Sequence, residues 1–242
     1  MSEFENKTVA EIVADDYRTA KVLESYKIDF CCHGNKKLDA VLKEKNLNPE
    51  KLFAELTSVK KQNNNGSIDF KSLPLDLLAD YIEKKHHRYV EERSPEIKQY
   101  LDKLCKVHGN NHPELFEINE QFNQSAGELA MHMKKEELIL FPYIKRMVAA
   151  KLKHEKVKSP QFGTIENPIN AMMSEHDVEG ERFKKINELT SNYSVPDDGC
   201  NTYQLTYSLL KEFEEDLHIH IHLENNILFP DAIKLEKEMI GD

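Results

Sequence analysis

The chain is poor in the residues that punctuate regular structure, with 8 glycines and 9 prolines in 242 residues. That scarcity argues against many short strands joined by tight turns and favours long helices. Cysteine is scarce too. Cys31, Cys32, Cys105 and Cys200 are too few for a disulfide scaffold, and a bridge between the adjacent Cys31 and Cys32 would be strained. A reducing cytoplasm is therefore the expected setting, with Cys105 and Cys200 as packing residues. Positive charge is not in excess. The formal net charge is -10, which argues against binding that relies on neutralising nucleic-acid phosphates. No apolar run is long enough to span a bilayer. The start, Met1-Ser2-Glu3-Phe4, has no basic stretch followed by an apolar one, so no signal peptide is expected. What remains, 39% hydrophobic and 31% charged residues, is an ordinary globular composition.

Against that background one stretch occurs twice. His132-Met-Lys-Lys-Glu136-Glu-Leu-Ile-Leu-Phe141-Pro142 is echoed by His220-Ile-His-Leu-Glu224-Asn-Asn-Ile-Leu-Phe229-Pro230. In each, His precedes Glu by about one helical turn, so imidazole and carboxylate share a helix face. The same face carries apolar residues on either side. Phe122 and Leu129 precede His132, and Leu210, Phe213 and Leu217 precede His220. Two further long helical patterns place Leu78, Ile82 and His86 on one stripe, and Ile169, Met172, His176 and Phe183 on another. His86 and His132 are separated by nearly as many residues as His176 and His220. The pattern is two helical hairpins, hence a four-helix bundle with a His on the inner stripe of each rod. Ser94-Pro95 is expected to kink or interrupt the first rod, and Pro142 to bend the second.

Burying these His and Glu side chains unpartnered would cost several kcal/mol. Metal coordination offsets that cost. The inner set is His86, His132, Glu136, His176, His220 and Glu224. Four imidazoles and two carboxylates exceed the needs of one tetrahedral ion and suit a pair of divalent ions bridged by the two Glu. Iron, manganese and zinc all accept such donors. Glu83-x-x-His86 and Glu215-x-x-His218 match a ferritin-like string, but the repeat is built on His-x-x-x-Glu, which favours a hemerythrin-like arrangement. His87 falls on the polar side with Asp80, Glu83 and Glu91, and His218 and His222 point away from the inner stripe. All three are expected at the surface. Glu128 and Glu175, each beside a ligand, are candidate second-layer acids near the cofactor.

The first 59 residues read as a small domain of short helices, and 60–70 as a polar linker. The bundle then occupies 71–242. The first segment is small for an independent core, so it is expected to dock on a partner surface or a second copy. Cys31 and Cys32 form a possible redox or transfer thiol pair, or simply two small core side chains.

Asp29-Phe30-Cys31-Cys32-x-Gly34 resembles the double-cysteine signature of the iron–sulfur cluster repair di-iron proteins. The two His-x-x-x-Glu copies and Ser174-Glu175-His176-Asp177 resemble that family's hemerythrin-like domain. The likeness covers nearly the whole chain, with one departure at His33, where glycine is common. The resemblance implies an all-α fold with a small helical domain before an up-down bundle. It implies two non-haem irons with His86, His132, His176 and His220 as terminal ligands and Glu136 and Glu224 as bridges. It also implies cytoplasmic repair of clusters damaged by nitric oxide or peroxide, by a homodimer delivering iron or electrons to damaged iron–sulfur proteins. The alternatives are a nitric oxide reductase, or a hemerythrin-type carrier or sensor of oxygen or nitric oxide. No nucleic acid or membrane partner is expected.

Overall fold

Thr8 sets the first helix by a reciprocal cap. Its hydroxyl accepts from the Glu11 amide, and the Glu11 carboxylate accepts from the Thr8 amide. Helix α1 (Val9–Asp15) then turns Val9, Ile12 and Val13 inward. In this computed structural model, which describes residues 4–61, 68–158 and 160–239, α2 (Ala20–Ser25), α3 (Leu38–Glu44) and α4 (Pro49–Lys61) complete the small domain. Asn48 accepts from the Glu50 amide at 2.9 Å, with Pro49 opening α4. Residues 62–67 of the expected linker lie outside the described residues.

Four rods follow. The first is α5 (Leu75–Tyr81), a π-helical turn at Ile82–His87, and α6 (Arg88–His108). The second is α7 (Glu114–Lys135), a π turn at Glu136–Leu140, and α8 (Phe141–Lys153). The third is α9 (Glu166–Leu189). The fourth is α10 (Asn201–Leu223), a π turn at Glu224–Leu228, and α11 (Phe229–Met239). Cross-rod contacts run in opposite order along neighbours. Lys134 meets Glu91 and Asn119 meets Asp102, while Lys185 meets Glu117 and Lys135 meets Glu175. The bundle is thus up-down-up-down, and the protein is all-α. Among the described residues, none of the helices is long and apolar enough to cross a membrane.

Pro95 does not interrupt its rod; it lies inside the continuous helix α6. Ile97, Leu101 and Leu104 just beyond it are almost wholly buried, and their packing outweighs one lost backbone bond. Pro142 and Pro230 each follow a π turn as the second residue of the next helix. A missing N–H costs little there.

Two apolar clusters fill the molecule. One joins the small domain to α6, α7, the end of α9 and α10, with Phe183 stacked on Phe213 at 5.6 Å. The other lies among α5, α8, the start of α9 and α11. The small domain docks on its own bundle. The Phe30 ring stands edge-on to His218 and His222, at 6.1 and 5.7 Å. The Asn226 amide donates to the carbonyls of Phe30 and Cys31, at 3.3 and 3.0 Å.

Glu236, almost fully buried, ties three helices together. It accepts from the Tyr143 hydroxyl at 2.9 Å and from the Ile165 amide at 3.0 Å. Glu236→Ala strands both donors, and is expected to cost roughly 2–4 kcal/mol in urea unfolding. Glu236→Gln keeps an acceptor and should recover much of that loss. Equal stability of the Ala variant and the parent would contradict this role.

Candidate metal centre

The π turns place the polar residues of three rods at one level. A regular α-helix would carry Leu78, Ile82 and His86 inward along one stripe. The π turn at Ile82–His87 adds a residue to that turn and shifts the register, so His87 takes the central position. His87 is therefore not at the surface: it is 1% exposed, and Nε2 lies 3.3 Å from Glu136 Oε2 and 4.0 Å from Glu224 Oε1.

His86 is also buried, but it belongs to neither central donor group. Its Nδ1 faces Asp216 at 3.0 Å, and its ring stacks on His220 at 5.6 Å. The expected ligand at this point of the first rod is thus corrected by one residue.

Two groups of donors result. One is His87, Glu136, His220 and Glu224; the other is His132, Glu136, His176 and Glu224. All are buried, and each carboxylate serves both groups. Glu136 turns Oε1 to His132 Nε2 at 3.4 Å and Oε2 to His87. Glu224 turns Oε1 to His220 Nε2 at 3.1 Å and Oε2 to His176 Nε2 at 3.3 Å. His132 and His176 bring their Nε2 atoms within 3.0 Å of each other.

The residues fit a metal. Both Glu136 oxygens, Glu224 Oε2 and His87 Nε2 are buried without a hydrogen bond. Such atoms are costly unless paired, protonated or coordinated. Nitrogen and carboxylate donors of this kind suit iron, manganese or zinc.

A second layer orients three of the four imidazoles. His87 Nδ1 faces Glu137 at 3.0 Å, His132 Nδ1 faces Glu175 at 2.8 Å, and His176 Nδ1 faces Asn225 at 2.8 Å. Each contact commits Nδ1 and leaves Nε2 for coordination. Glu175 is where the sequence suggests. Glu128 is not; it is half exposed and pairs with Arg182 at 2.8 Å. Glu137 and Asn225 escape the sequence reading, although each directly follows the Glu of its repeat copy, a shared offset that pointed to them.

Charge follows the same geometry. Burial opposes a charge on His87, but Glu136 and Glu224 outweigh it and hold the proton up to about 10. Burial also opposes charge on His132, and Glu136 again prevails, holding its proton to about 9. Against burial, His220 and the other imidazoles keep Glu224 well below the usual carboxylate range. Without a metal the site neutralises itself with protons.

The remaining sites differ from expectation in informative ways. His222 is buried, and burial lowers its pKa to about 4. His218 is half-buried beside Glu24 at 3.1 Å. The small domain covers the face of α10 that both occupy. Cys200 is exposed rather than packed, and His108 at 3.3 Å lowers its pKa to about 7. Cys31 is buried and Cys32 partly so. Cys32 Sγ lies 3.6 Å from the His176 carbonyl oxygen, so the thiol pair abuts the helix that carries a donor imidazole.

Comparisons with known proteins agree with both halves of this architecture. Residues 78–232 match the hemerythrin HHE cation binding domain, and residues 5–60 match an ScdA N-terminal domain of unknown function. The iron–sulfur cluster repair protein ScdA of Staphylococcus haemolyticus is 31% identical over 91% of this chain and 95% of its own length. The iron–sulfur cluster repair protein YtfE of Yersinia pseudotuberculosis is 31% identical over 97% of this chain and 100% of its own. Likeness thus extends through the double-cysteine domain and the metal-binding bundle alike, and the chain belongs to the family of iron–sulfur cluster repair proteins that includes ScdA and YtfE.

Proposed function

We propose that this protein restores iron–sulfur clusters damaged by nitrosative or oxidative stress, acting in the cytoplasm as a homodimer on damaged iron–sulfur proteins. Two non-haem irons are held in the two donor groups, with His87 in place of the expected His86. The observation that carries the reading is likeness over 97% of the chain to a relative named for cluster repair, joined to a donor set that fits two bridged ions.

When bound, the irons supply transferable iron and redox equivalents. The chain's own residues do the rest. Glu136 and Glu224 each present one oxygen to either group. Glu137, Glu175 and Asn225 fix the imidazole orientations. The apolar clusters on both sides exclude water.

The test is anaerobic addition of iron-loaded protein to an iron–sulfur enzyme inactivated by nitric oxide. Activity should return with the parent and not with metal-free protein or Glu136→Ala. Equal recovery with metal-free protein would overturn the reading.

A further inference from the structure

The double-cysteine loop carries a donor group of its own. Asp29, Cys31 and Cys32 each bring a ligand atom within 4.8 Å of the others. The two sulfurs are 3.7 Å apart. A disulfide needs about 2 Å. Two thiolates on one tetrahedral ion, at bonds of about 2.3 Å, stand roughly 3.7 Å apart. The unbonded pair thus already stands at the separation that sharing one cation requires.

The loop fixes this spacing from several sides. Asp29 Oδ1 accepts from the amides of Cys31 and Cys32 at 2.9 and 3.0 Å, and lies 3.3 Å from Cys31 Sγ. Its Oδ2 accepts from the His33 amide at 3.3 Å and meets His33 Nδ1 at 2.7 Å. A carboxylate pinned in this way is pre-oriented, as metal-ligating carboxylates are. Asn226 holds the loop's carbonyls against the bundle. Gly180 leaves room on α9, where a Cβ would stand 3.4 Å from Cys32 Sγ.

We propose that Asp29, Cys31 and Cys32 form a second metal site, taking a thiophilic divalent cation such as zinc or ferrous iron, distinct from the His/Glu centre. The Cys31 thiol donates to Cys32 Sγ, and that bond, then burial, holds it well above its ordinary pKa. A cation binding both sulfurs displaces this proton and that of Cys32. The two thiols lose their protons to solvent on binding, with no change of oxidation state. The site stands on its own donors and does not depend on the repair reading.

The experiment uses full-length, iron-loaded protein carrying Cys200→Ser, which removes the exposed thiol. Cadmium ion is titrated in, following the ultraviolet sulfur-to-cadmium charge-transfer band, while iron content is measured in the same samples. One cadmium per chain with a thiolate band and unchanged iron is the expected result. Asp29→Asn should weaken binding by about 10–100-fold, and Cys32→Ser should remove the band. A band unaltered by Cys32→Ser, or cadmium entering only by displacing iron, would overturn the proposal. Alkylation of the otherwise unaltered loop gives a second readout. Zinc should protect Cys32 from a thiol reagent, and equal labelling with and without zinc would also overturn it. Loss of iron without loss of cadmium binding would count against the His/Glu centre alone.

Discussion

Glu224→Ala is expected to strip metal from both donor groups at once. Glu224 faces His220 with one oxygen and His176 with the other, and it is wholly buried. Removing it takes a donor from each group and a negative charge from among four imidazoles. Loss of a second-layer partner alone typically costs 10–100-fold in affinity. Loss of a shared first-layer carboxylate should exceed about 100-fold. Metal content after anaerobic gel filtration reads this directly. The same measurement separates the neighbouring histidines. His87→Ala should deplete the group it shares with His220, whereas His86→Ala, which removes a ring bound to Asp216, should retain metal. Stoichiometric metal in Glu224→Ala, or greater loss in His86→Ala than in His87→Ala, would refute the assignment.

Metal affinity is expected to climb steeply with pH, and metal-free stability to fall over the same range. His87 and His132, with ordinary values of 6.5, hold their protons to about 10 and about 9 in the folded, metal-free protein. A raised imidazole pKa stabilises the fold fully below 6.5, and that contribution fades as pH rises through 9 and 10. Coordination needs both rings neutral, so binding must expel two protons. Each contributes up to about tenfold in affinity per pH unit, hence up to about 100-fold per unit between pH 7 and 9. Competition against a chelator of known proton linkage gives the slope. Thermal melts of the metal-free protein give the opposite trend. A flat affinity profile, or metal-free protein that gains stability across this range, would contradict the picture of protons standing in for metal.

Much of this architecture was legible in the sequence. The repeated His-x-x-x-Glu with a common Leu-Phe-Pro suffix places His132, Glu136, His220 and Glu224 on inner faces, and the structure brings all four together. His176 was readable from its apolar stripe. His87 was not. A π turn breaks the 3.6-residue period on which any face assignment rests, and here it moves the inward position by one residue. The burial of His218 and His222 was hidden for another reason. Both sit on the outer face of α10, and only the docked small domain covers that face. Pro95 read as an interruption because a missing donor is visible in sequence, while the neighbouring side chains that hold the rod are visible only once the rods are assembled.

The three widened turns have a consequence for how the chain is written. Upstream and downstream of each, the greasy stripe follows two different helical phases, and the change of phase falls at the same height in three rods. The metal level is thus a seam between two separately phased cores. Removing a single residue at that seam would rewind the downstream helix by roughly 100° and swing its greasy side into water. The spelling of Phe141-Pro142 and Phe229-Pro230 is therefore tied to the turn before it, and the metal-holding turns and the far half of the bundle can change only together.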